Sequence, residues 1–459
     1  MILDRFQLEA IEHINLNHSV LVSAPTGAGK TLIAERAIEY CIEKGLKAIY
    51  TSPIKALSNQ KFRDFSKLYP DKIGILTGDV SINTDAEVLI MTTEIFRNKI
   101  LEGQKLPEHG WIIFDEIHYI DDRERGTVWE ESIMLMPQHI RLLALSATIP
   151  NVQELADWIT KVHKTPIHVV IENERPVPLK ICYQVHNKIF KHIKALDDFR
   201  KDFRDSQDFY RNKRKRFYYN HPHKTPNRID TLFDFIEKEG GFPAIYFAFS
   251  RSRCEDLANS IVAKSFITSD QRKEILKYYD ELLDNFNLTG ERTAEIMKEP
   301  IGRGIAYHHA GLLPTLKEVI ERLFTSRLLK IIFTTETFAL GINMPARSVI
   351  FDDIRKNYGE YFATLRVRDF NQMAGRAGRR GIDNEGFVYL KINPHSVGLE
   401  EIRRMVFGKP ERVASQFNST YATILHLYEK YGEKLYDIYP LSFHFSQSNA
   451  SRRSDAIAN

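Results

Sequence analysis

Val20-Leu21-Val22-Ser23-Ala24-Pro25-Thr26-Gly27-Ala28-Gly29-Lys30-Thr31 is the stretch whose reading decides the fold. A short apolar run, Val20 to Val22, passes into a loop with two glycines, and a helical pattern starts near Lys30. In such a strand–loop–helix unit the backbone N–H groups and the positive helix end favour phosphate oxygens. Gly27 and Gly29 let the backbone come close, Lys30 suits the β and γ phosphates, and the Thr31 hydroxyl suits Mg²⁺. The generic phosphate-loop pattern asks for glycine where Ala24 stands. Taken alone, the segment also reads as an ordinary turn before a helix.

Working outward, Ala48-Ile49-Tyr50, Val88 to Met91, Trp111 to Phe114 and Leu142 to Leu145 predict further buried strands. Helical patterns over Thr31 to Lys44 and Ile54 to Leu68 lie between them. Strands apolar throughout, alternating with helices, predict an α/β fold with a parallel sheet covered on both faces. Two prolines within 172–180 break the pattern and predict a linker. Residues 187–228, dense in Lys, Arg, Phe and Tyr, follow as a basic-aromatic insert. Alternation resumes with Ala244 to Phe249, Leu329 to Phe333, Ser348 to Phe351 and Gly386 to Leu390, a second α/β domain. Val413, Phe417, Tyr421, Ile424 and Leu425 recur at helical spacing, so the last sixty or so residues predict a small helical region with a core-facing stripe. The polar end from Ser446 is expected to fray.

At 459 residues the chain is too long for one ordinary core. With 43% hydrophobic and 27% charged residues it has the composition of a globular protein. A net charge of +4 neither favours nor excludes nucleic acid, since a basic groove can hide in a balanced total. Cys41, Cys182 and Cys254 are too few and too scattered for a metal knuckle, which suits a reduced compartment. No apolar signal core follows Asp4, Arg5 and Glu9, and no run is long enough to span a bilayer. A cytoplasmic location without membrane partners is the expectation.

Asp115-Glu116-Ile117-His118 follows the strand Trp111 to Phe114. Two carboxylates at a strand end serve metal-assisted phosphoryl transfer, Asp115 toward Mg²⁺ and Glu116 toward the attacking water. Alone, the tetrapeptide equally reads as a solvated acidic loop. Ser146-Ala147-Thr148 ends another strand with hydroxyls that could relay between sites, or merely cap a helix. Gln372-Met373-Ala374-Gly375-Arg376-Ala377-Gly378-Arg379-Arg380-Gly381 is expected to set guanidiniums three apart on one helical face. Such groups can act as arginine fingers, or form a basic solvated surface.

Together these stretches resemble a superfamily 2 helicase, and specifically the superkiller-type DExH RNA helicases that assist the RNA exosome. The resemblance is carried by Phe6-Gln7, the loop Ala24 to Thr31, Ser52 to Lys61, Thr77-Gly78-Asp79 and Thr92 to Ile95. It continues through Asp115 to His118, Asp122 to Glu131, Ser146 to Thr148, Tyr307 to Leu312, Thr334 to Pro345 and Gln372 to Gly381, covering nearly all the chain to Gln447 except the insert. It also accounts for Ala24, since this superfamily often lacks the first glycine.

The resemblance implies two tandem RecA-like parallel-sheet domains followed by a small helical, winged-helix-like region. The expected division is 1–171 for the ATP-binding domain, 172–186 for the linker and entry, 187–228 for the insert, 229–400 for the second domain, 401–449 for the partial winged-helix-like region and 450–459 for a disordered tail. ATP and Mg²⁺ are the implied cofactors. Phe6 and Gln7 would hold adenine, Ala24, Pro25, Thr26, Gly27, Ala28, Gly29, Lys30 and Thr31 the phosphates, with Gly341 from the second domain. Thr31 and Asp115 would hold the metal. Lys30, Asp115, Glu116, Gln372, Arg376 and Arg379 would serve hydrolysis, and His118, Ser146 and Thr148 would couple it to movement. Pro53, Lys55, Asn59, Gly78, Asp79, Thr92 and Thr93 would line a nucleic-acid track, continued by Thr334 and Thr335. Asp352 to Arg368 occupies the place of the strand-separating hairpin of related helicases.

The implied activity is ATP-driven 3′→5′ movement on single-stranded RNA for decay or processing, with an exosome-like or other RNA-decay complex as partner. The family continues into a ratchet-like bundle, so a motor subunit active only within a larger assembly is a second reading. A DNA repair helicase of the related Hel-type and an idle RNA-binding scaffold are further alternatives. The insert suits an RNA-contacting arm or a solvated charged excursion equally.

Overall fold

The computed structural model describes residues 3–199, 227–336, 338, 344–358, 361–393, 396–418 and 420–449. Most of the insert, Gly341 and the tail from 450 therefore lie outside the described residues. The chain forms two compact units, Met1–Arg175 together with Pro410–Asn459, and Pro176–Lys409.

The first unit is built on eight strands: β1 (Ser19–Ser23), β2 (Lys47–Ser52), β3 (Ile73–Leu76), β4 (Ser81–Ile82), β5 (Val88–Thr92), β6 (His109–Phe114), β7 (Arg141–Ser146) and β8 (Ile167–Ile171). They lie in the order β4-β3-β5-β2-β6-β7-β1-β8, parallel except for the short β3–β4 pair. All five residues of β1 and β5 are buried, as expected of strands covered on both faces. The helices include α1 (Arg5–Asn15), α2 (Lys30–Lys44), α3 (Lys55–Leu68), α4 (Thr93–Leu101), α5 (Gly126–Leu135) and α6 (Val152–His163). Ile33, Ala34, Ala37, Ile38 and Cys41 form the buried stripe of α2 at helical spacing. This stripe packs with Phe6, Ala10 and Ile14 of α1 on Val20, Val22 and Val170 of the sheet. Full burial of each Ile, Val or Phe among them contributes about 1.5–3 kcal/mol.

Parallel pairing has one consequence that matters for function. The loops after β1, β2, β3, β5, β6 and β7 all leave the same edge of the sheet, where α/β proteins bind ligands. The sequence motifs 24–31, 53–55, 77–79, 92–93, 115–118 and 146–148 are those loops and strand ends.

The second unit carries β9 (Leu179–Val185), β10 (Lys188–Phe190), β11 (Ala244–Phe247), β12 (Ile305–His308), β13 (Ile331–Thr334), β14 (Ser348–Phe351) and β17 (Gly386–Lys391). Their order is β10-β9-β17-β14-β11-β13-β12, parallel except for β9–β10. The expected linker thus gives way to a sheet strand at Leu179. An antiparallel hairpin, β15 (Arg355–Asn357) with β16 (Phe362–Thr364), falls within the stretch expected to hold one. The expected α/β architecture with two parallel-dominated sheets is found.

The C-terminal stripe is not. Residues 410–418 are not helical, and the helix Tyr421–Tyr431 leaves Tyr421 88% and Leu425 64% exposed. Side chains have taken over the backbone of the segment before it. Asn151 donates to Val413 O and accepts from Val413 N, both at 2.9 Å, while Gln447 accepts from Ser415 N at 2.9 Å. A backbone bonded this way cannot also close helical turns. Among the described residues no helix is long and apolar enough to cross a membrane.

Candidate nucleotide and nucleic-acid sites

The phosphate loop follows β1 and ends at the first turn of α2. Gly27 and Gly29 take φ of 86° and 91°, a left-handed backbone open to glycine and costly for other residues. The first N–H groups of α2 point out of its N-terminus toward this loop. Lys30 Nζ folds back to donate to Ala24 O at 2.8 Å and Pro25 O at 3.2 Å. Gln7 is buried on α1 and donates from Nε2 to Gly29 O at 3.0 Å, with Phe6 buried beside it. Residues from two separate motifs therefore meet around one loop.

Asp115 ends β6, where its N–H donates to Thr51 O at 3.0 Å. The carboxylate accepts a hydrogen bond from the buried Tyr50 hydroxyl of the adjacent β2. Burial pushes the Asp115 carboxyl above its ordinary range, the Lys61 ammonium opposes this, and Glu116 adds to the rise. The same burial, together with Asp115, drives the Tyr50 phenol well up. Lys61, itself buried on α3, donates to Thr31 Oγ1 at 2.8 Å and lies 5.9 and 5.8 Å from the ring centroids of Tyr50 and Phe65. A hydroxyl and a carboxylate are the hard oxygen donors that Mg²⁺ takes. One positive charge already serves both, so these residues fit a divalent cation.

Glu116 adopts φ 60°, ψ 45°, which is uncommon for a side chain with a Cβ and typical of strained functional positions. His118 follows in a short 3-10 turn and joins this motif to the end of β7. Its Nδ1 accepts from Ala147 N at 3.3 Å, which leaves the proton on Nε2. The 3.5 Å approach of the same Nδ1 to Glu116 is too long to compete with that bond. Ser23 Oγ donates to Ala147 O at 3.5 Å, and Ala24 N donates to Ser146 O at 3.2 Å. Ser146 Oγ is buried with no hydrogen-bond partner among the described residues, and Thr148 is half-buried. The phosphate loop, the acidic pair and Ser146 to Thr148 thus form one connected cluster.

The residues expected to line a nucleic-acid track sit along β3, β5 and β2 of the same edge. Lys55 pairs with Asp79 at 2.8 Å across the exposed Gly78, where an added Cβ would lie 3.0 Å from Lys55 Nζ. Thr93 donates to Ser52 O at 3.4 Å, which sets Thr92 and Thr93 beside Pro53. Arg125 Nη1 donates to Pro53 O at 2.7 Å from the 122–131 motif. Asn59 Oδ1 is buried without a hydrogen-bond partner among the described residues.

In the second unit, Thr334 is fully buried at the end of β13, where its hydroxyl donates to His308 O at 2.8 Å. Thr335, next along, is half-buried. The hairpin is braced to both neighbours, with Lys356 on Glu336 at 2.9 Å and Tyr358 on Asp369 at 2.9 Å.

The arginine motif departs from expectation. Its helix, Val367–Ala374, carries the buried Gln372 but stops before either arginine, so they do not share a helical face. Gly378 ends the possibility of continuing: it takes φ +81°, and a Cβ there would lie 2.5 Å from Val177 Cγ1. Ala346 N donates to Arg376 O at 2.9 Å, and Gly378 N to Ala346 O at 2.8 Å, which sets this turn at the entry of β14. Arg376 is buried, and Arg379 forms a two-point ion pair with Asp383, both bonds 2.7 Å long.

Three residues with evident roles carry no expectation from sequence. Tyr50 and Lys61 were visible only as part of a strand and the last residue of a motif. Arg175 lay in the supposed linker, yet its Nη1 donates to Thr26 O at 3.2 Å, and burial brings its pKa down to about 10. A cavity of about 480 Å³ in the second unit, lined by Cys182, Tyr183, Phe235, Tyr389 and Phe407 among others, includes none of the residues above.

Comparison with known proteins agrees with this geometry. Residues 4–155 match the DEAD/DEAH box helicase family, and residues 279–381 match the helicase conserved C-terminal domain. The chain is 39% identical over 461 residues to Superkiller complex protein 2 of Mus musculus, covering 96% of this chain and 37% of that protein. It is 40% identical over 443 residues to Exosome RNA helicase MTR4 of Homo sapiens, covering 93% and 42%. It is 37% identical over 487 residues to Antiviral helicase SKI2 of Saccharomyces cerevisiae, covering 93% and 38%. The chain spans about two fifths of the length of these relatives. With its phosphate loop, acidic pair and arginine motif in family order on two parallel-dominated sheets, this chain belongs to the superfamily 2 DExH-box helicases of the superkiller type.

Proposed function

We propose that the chain is an ATP-dependent RNA helicase or translocase that moves 3′→5′ on single-stranded RNA, in RNA decay or processing. The observation that carries this reading is the cluster at one sheet edge, where Gln7 and Lys30 bond to the phosphate loop, Lys61 bonds to Thr31 and acts on the charge of Asp115, and His118 bonds to Ala147. In this reading residues 1–171 and 229–400 are two RecA-like domains, and 401–449 is a partial winged-helix-like region. Phe6 and Gln7 hold the adenine, and Ala24 to Thr31 hold the phosphates. Thr31 and Asp115 hold Mg²⁺, which supplies charge neutralisation for phosphoryl transfer. Glu116 orients the attacking water and takes its proton. Gln372, Arg376 and Arg379 assist hydrolysis, and Gly341 belongs to the same set.

Pro53, Lys55, Asn59, Gly78, Asp79, Thr92 and Thr93, with Thr334 and Thr335, contact the RNA backbone, so binding is insensitive to sequence. His118, Ser146 and Thr148 transmit hydrolysis to that track. The relatives' names, Superkiller complex protein 2 and Exosome RNA helicase, support an RNA-decay assembly as partner and RNA over DNA as substrate. A cytoplasmic setting goes with this reading.

The test is ATPase activity with single-stranded RNA and DNA at matched salt, beside unwinding of 3′- and 5′-tailed duplexes. RNA should stimulate more strongly, and only the 3′-tailed duplex should unwind. Stronger stimulation by DNA, or unwinding from the 5′ tail alone, overturns the proposal.

A further inference from the structure

His13 and His18, neighbours across one turn, meet the sequence-distant His168 at the edge of the first unit's sheet. His13 lies near the end of α1, His18 just before β1, and His168 on β8. His13 and His168 stack with centroids 3.9 Å apart, and His18 lies over His168 at 4.8 Å. The three offer ring nitrogens that all lie within 4.8 Å of one another. From the geometry we infer that His13, His18 and His168 form a binding site for a divalent late transition metal, with Zn²⁺ as its probe.

The first support is what the rings lack. Among the described residues no hydrogen bond or ion pair reaches any of their nitrogens, and His13 Nδ1 is buried with no partner. Buried polar atoms are normally satisfied, so the unpartnered His13 Nδ1 asks for a ligand, and the more open rings of His18 and His168 stand beside it. The second is the chemistry of the set. Imidazole nitrogen suits Zn²⁺, Cu²⁺ and Ni²⁺, whereas the oxygen donors preferred by Mg²⁺ are absent.

The third is placement. His13 and His18 flank a turn at Asn17, φ 57°, whose geometry is fixed by His18 N donating to His13 O at 2.9 Å. His168 shares its sheet face with the buried Val170, which packs under α1. A tetrahedral ion with Zn–N bonds of about 2.0–2.1 Å needs ligand nitrogens about 3.3 Å apart. Side-chain rotations would have to close that gap, and the exposed His18 has the most room to move. Three protein ligands leave the fourth position to water. The ion would staple α1, the helix that bears Phe6 and Gln7, to β1 and the edge strand β8.

Calorimetric titration of the nucleotide-free chain with Zn²⁺, paired with thermal melting, tests the site. One equivalent should bind and raise the melting temperature. His18→Ala and His168→Ala should each weaken binding about tenfold or more and abolish the rise, while His192→Ala should leave both unchanged. Melting without zinc shows whether each variant is folded, and the exposed His18 carries the test should His168→Ala unfold. Absence of stoichiometric binding, or binding that survives both substitutions, overturns the inference.

Discussion

Lys61 Nζ stands 2.8 Å from Thr31 Oγ1, and its charge is the largest influence opposing the burial of Asp115. A residue of α3 thus holds together the hydroxyl and the carboxylate proposed to share a metal. Removing one member of a buried charge pair typically costs about 3–5 kcal/mol, because the other is left uncompensated. Lys61→Met should therefore destabilise the metal-free chain by a few kcal/mol in denaturant unfolding. Asp115→Asn in the same background should recover most of that loss. Additive effects, with no coupling in the double-mutant cycle, would show that the two charges do not depend on each other.

Glu116 is turned out of β6 by its left-handed backbone, and its carboxylate is more open than that of Asp115. Glu116→Gln keeps shape and hydrogen bonding but removes the base. Nucleotide affinity should stay close to that of the parent, while turnover falls at least about a hundredfold. Near-normal turnover would remove Glu116 from its proposed role.

Arg379 is held by Asp383, with both side chains largely shielded. Arg379→Ala should slow hydrolysis by about a thousandfold, the range for a lost arginine finger, with single-stranded RNA affinity nearly unchanged. Asp383→Asn should give a smaller loss in kcat, since the guanidinium remains but its orientation loosens. Equal losses of hydrolysis and RNA binding in Arg379→Ala would argue for an RNA contact instead.

Glu130 on α5 is fully buried and accepts from Ser415 Oγ at 2.6 Å and His444 N at 3.1 Å. Burial outweighs these bonds and lifts its carboxyl from an ordinary 4.5 to about 7. The folded chain therefore holds a proton that the unfolded chain releases, and stability falls as pH rises from about 4.5 to about 7. The full penalty is at most about 3 kcal/mol. Glu130→Gln should match the parent below this window and exceed it in unfolding free energy above pH 7. A stability difference independent of pH between 4.5 and 8 would contradict this.

Much of the fold was legible because its signals are local. Val20 to Val22, Val88 to Met91 and Trp111 to Phe114 are apolar on both faces, and each became a buried parallel strand. The stretches Ala24 to Thr31, Asp115 to His118 and Ser146 to Thr148 were legible for the same reason, since each stands at the end of a strand. The stripe Val413 to Leu425 misled because helical spacing records only a pattern of side chains. It could not register that Asn151, about 260 positions away, would claim the backbone at Val413. The arginine motif misled similarly: its spacing is helical, but Gly378 packs against Val177 in a left-handed turn.

By itself, then, the sequence determined the two alternating α/β halves, the strand–loop–helix at Ala24 to Thr31, and which residues end each strand. Only the tertiary structure decided who their partners are. Strand order β5-β2-β6 sets Tyr50 against Asp115, the packing of α3 brings Lys61 to Thr31, and the turn after β8 returns Arg175 to Thr26. The physical reason is range. Hydrophobic period and turn chemistry act over a few residues, whereas a buried charge or imidazole takes its partner from whatever the sheet order brings within a few ångströms.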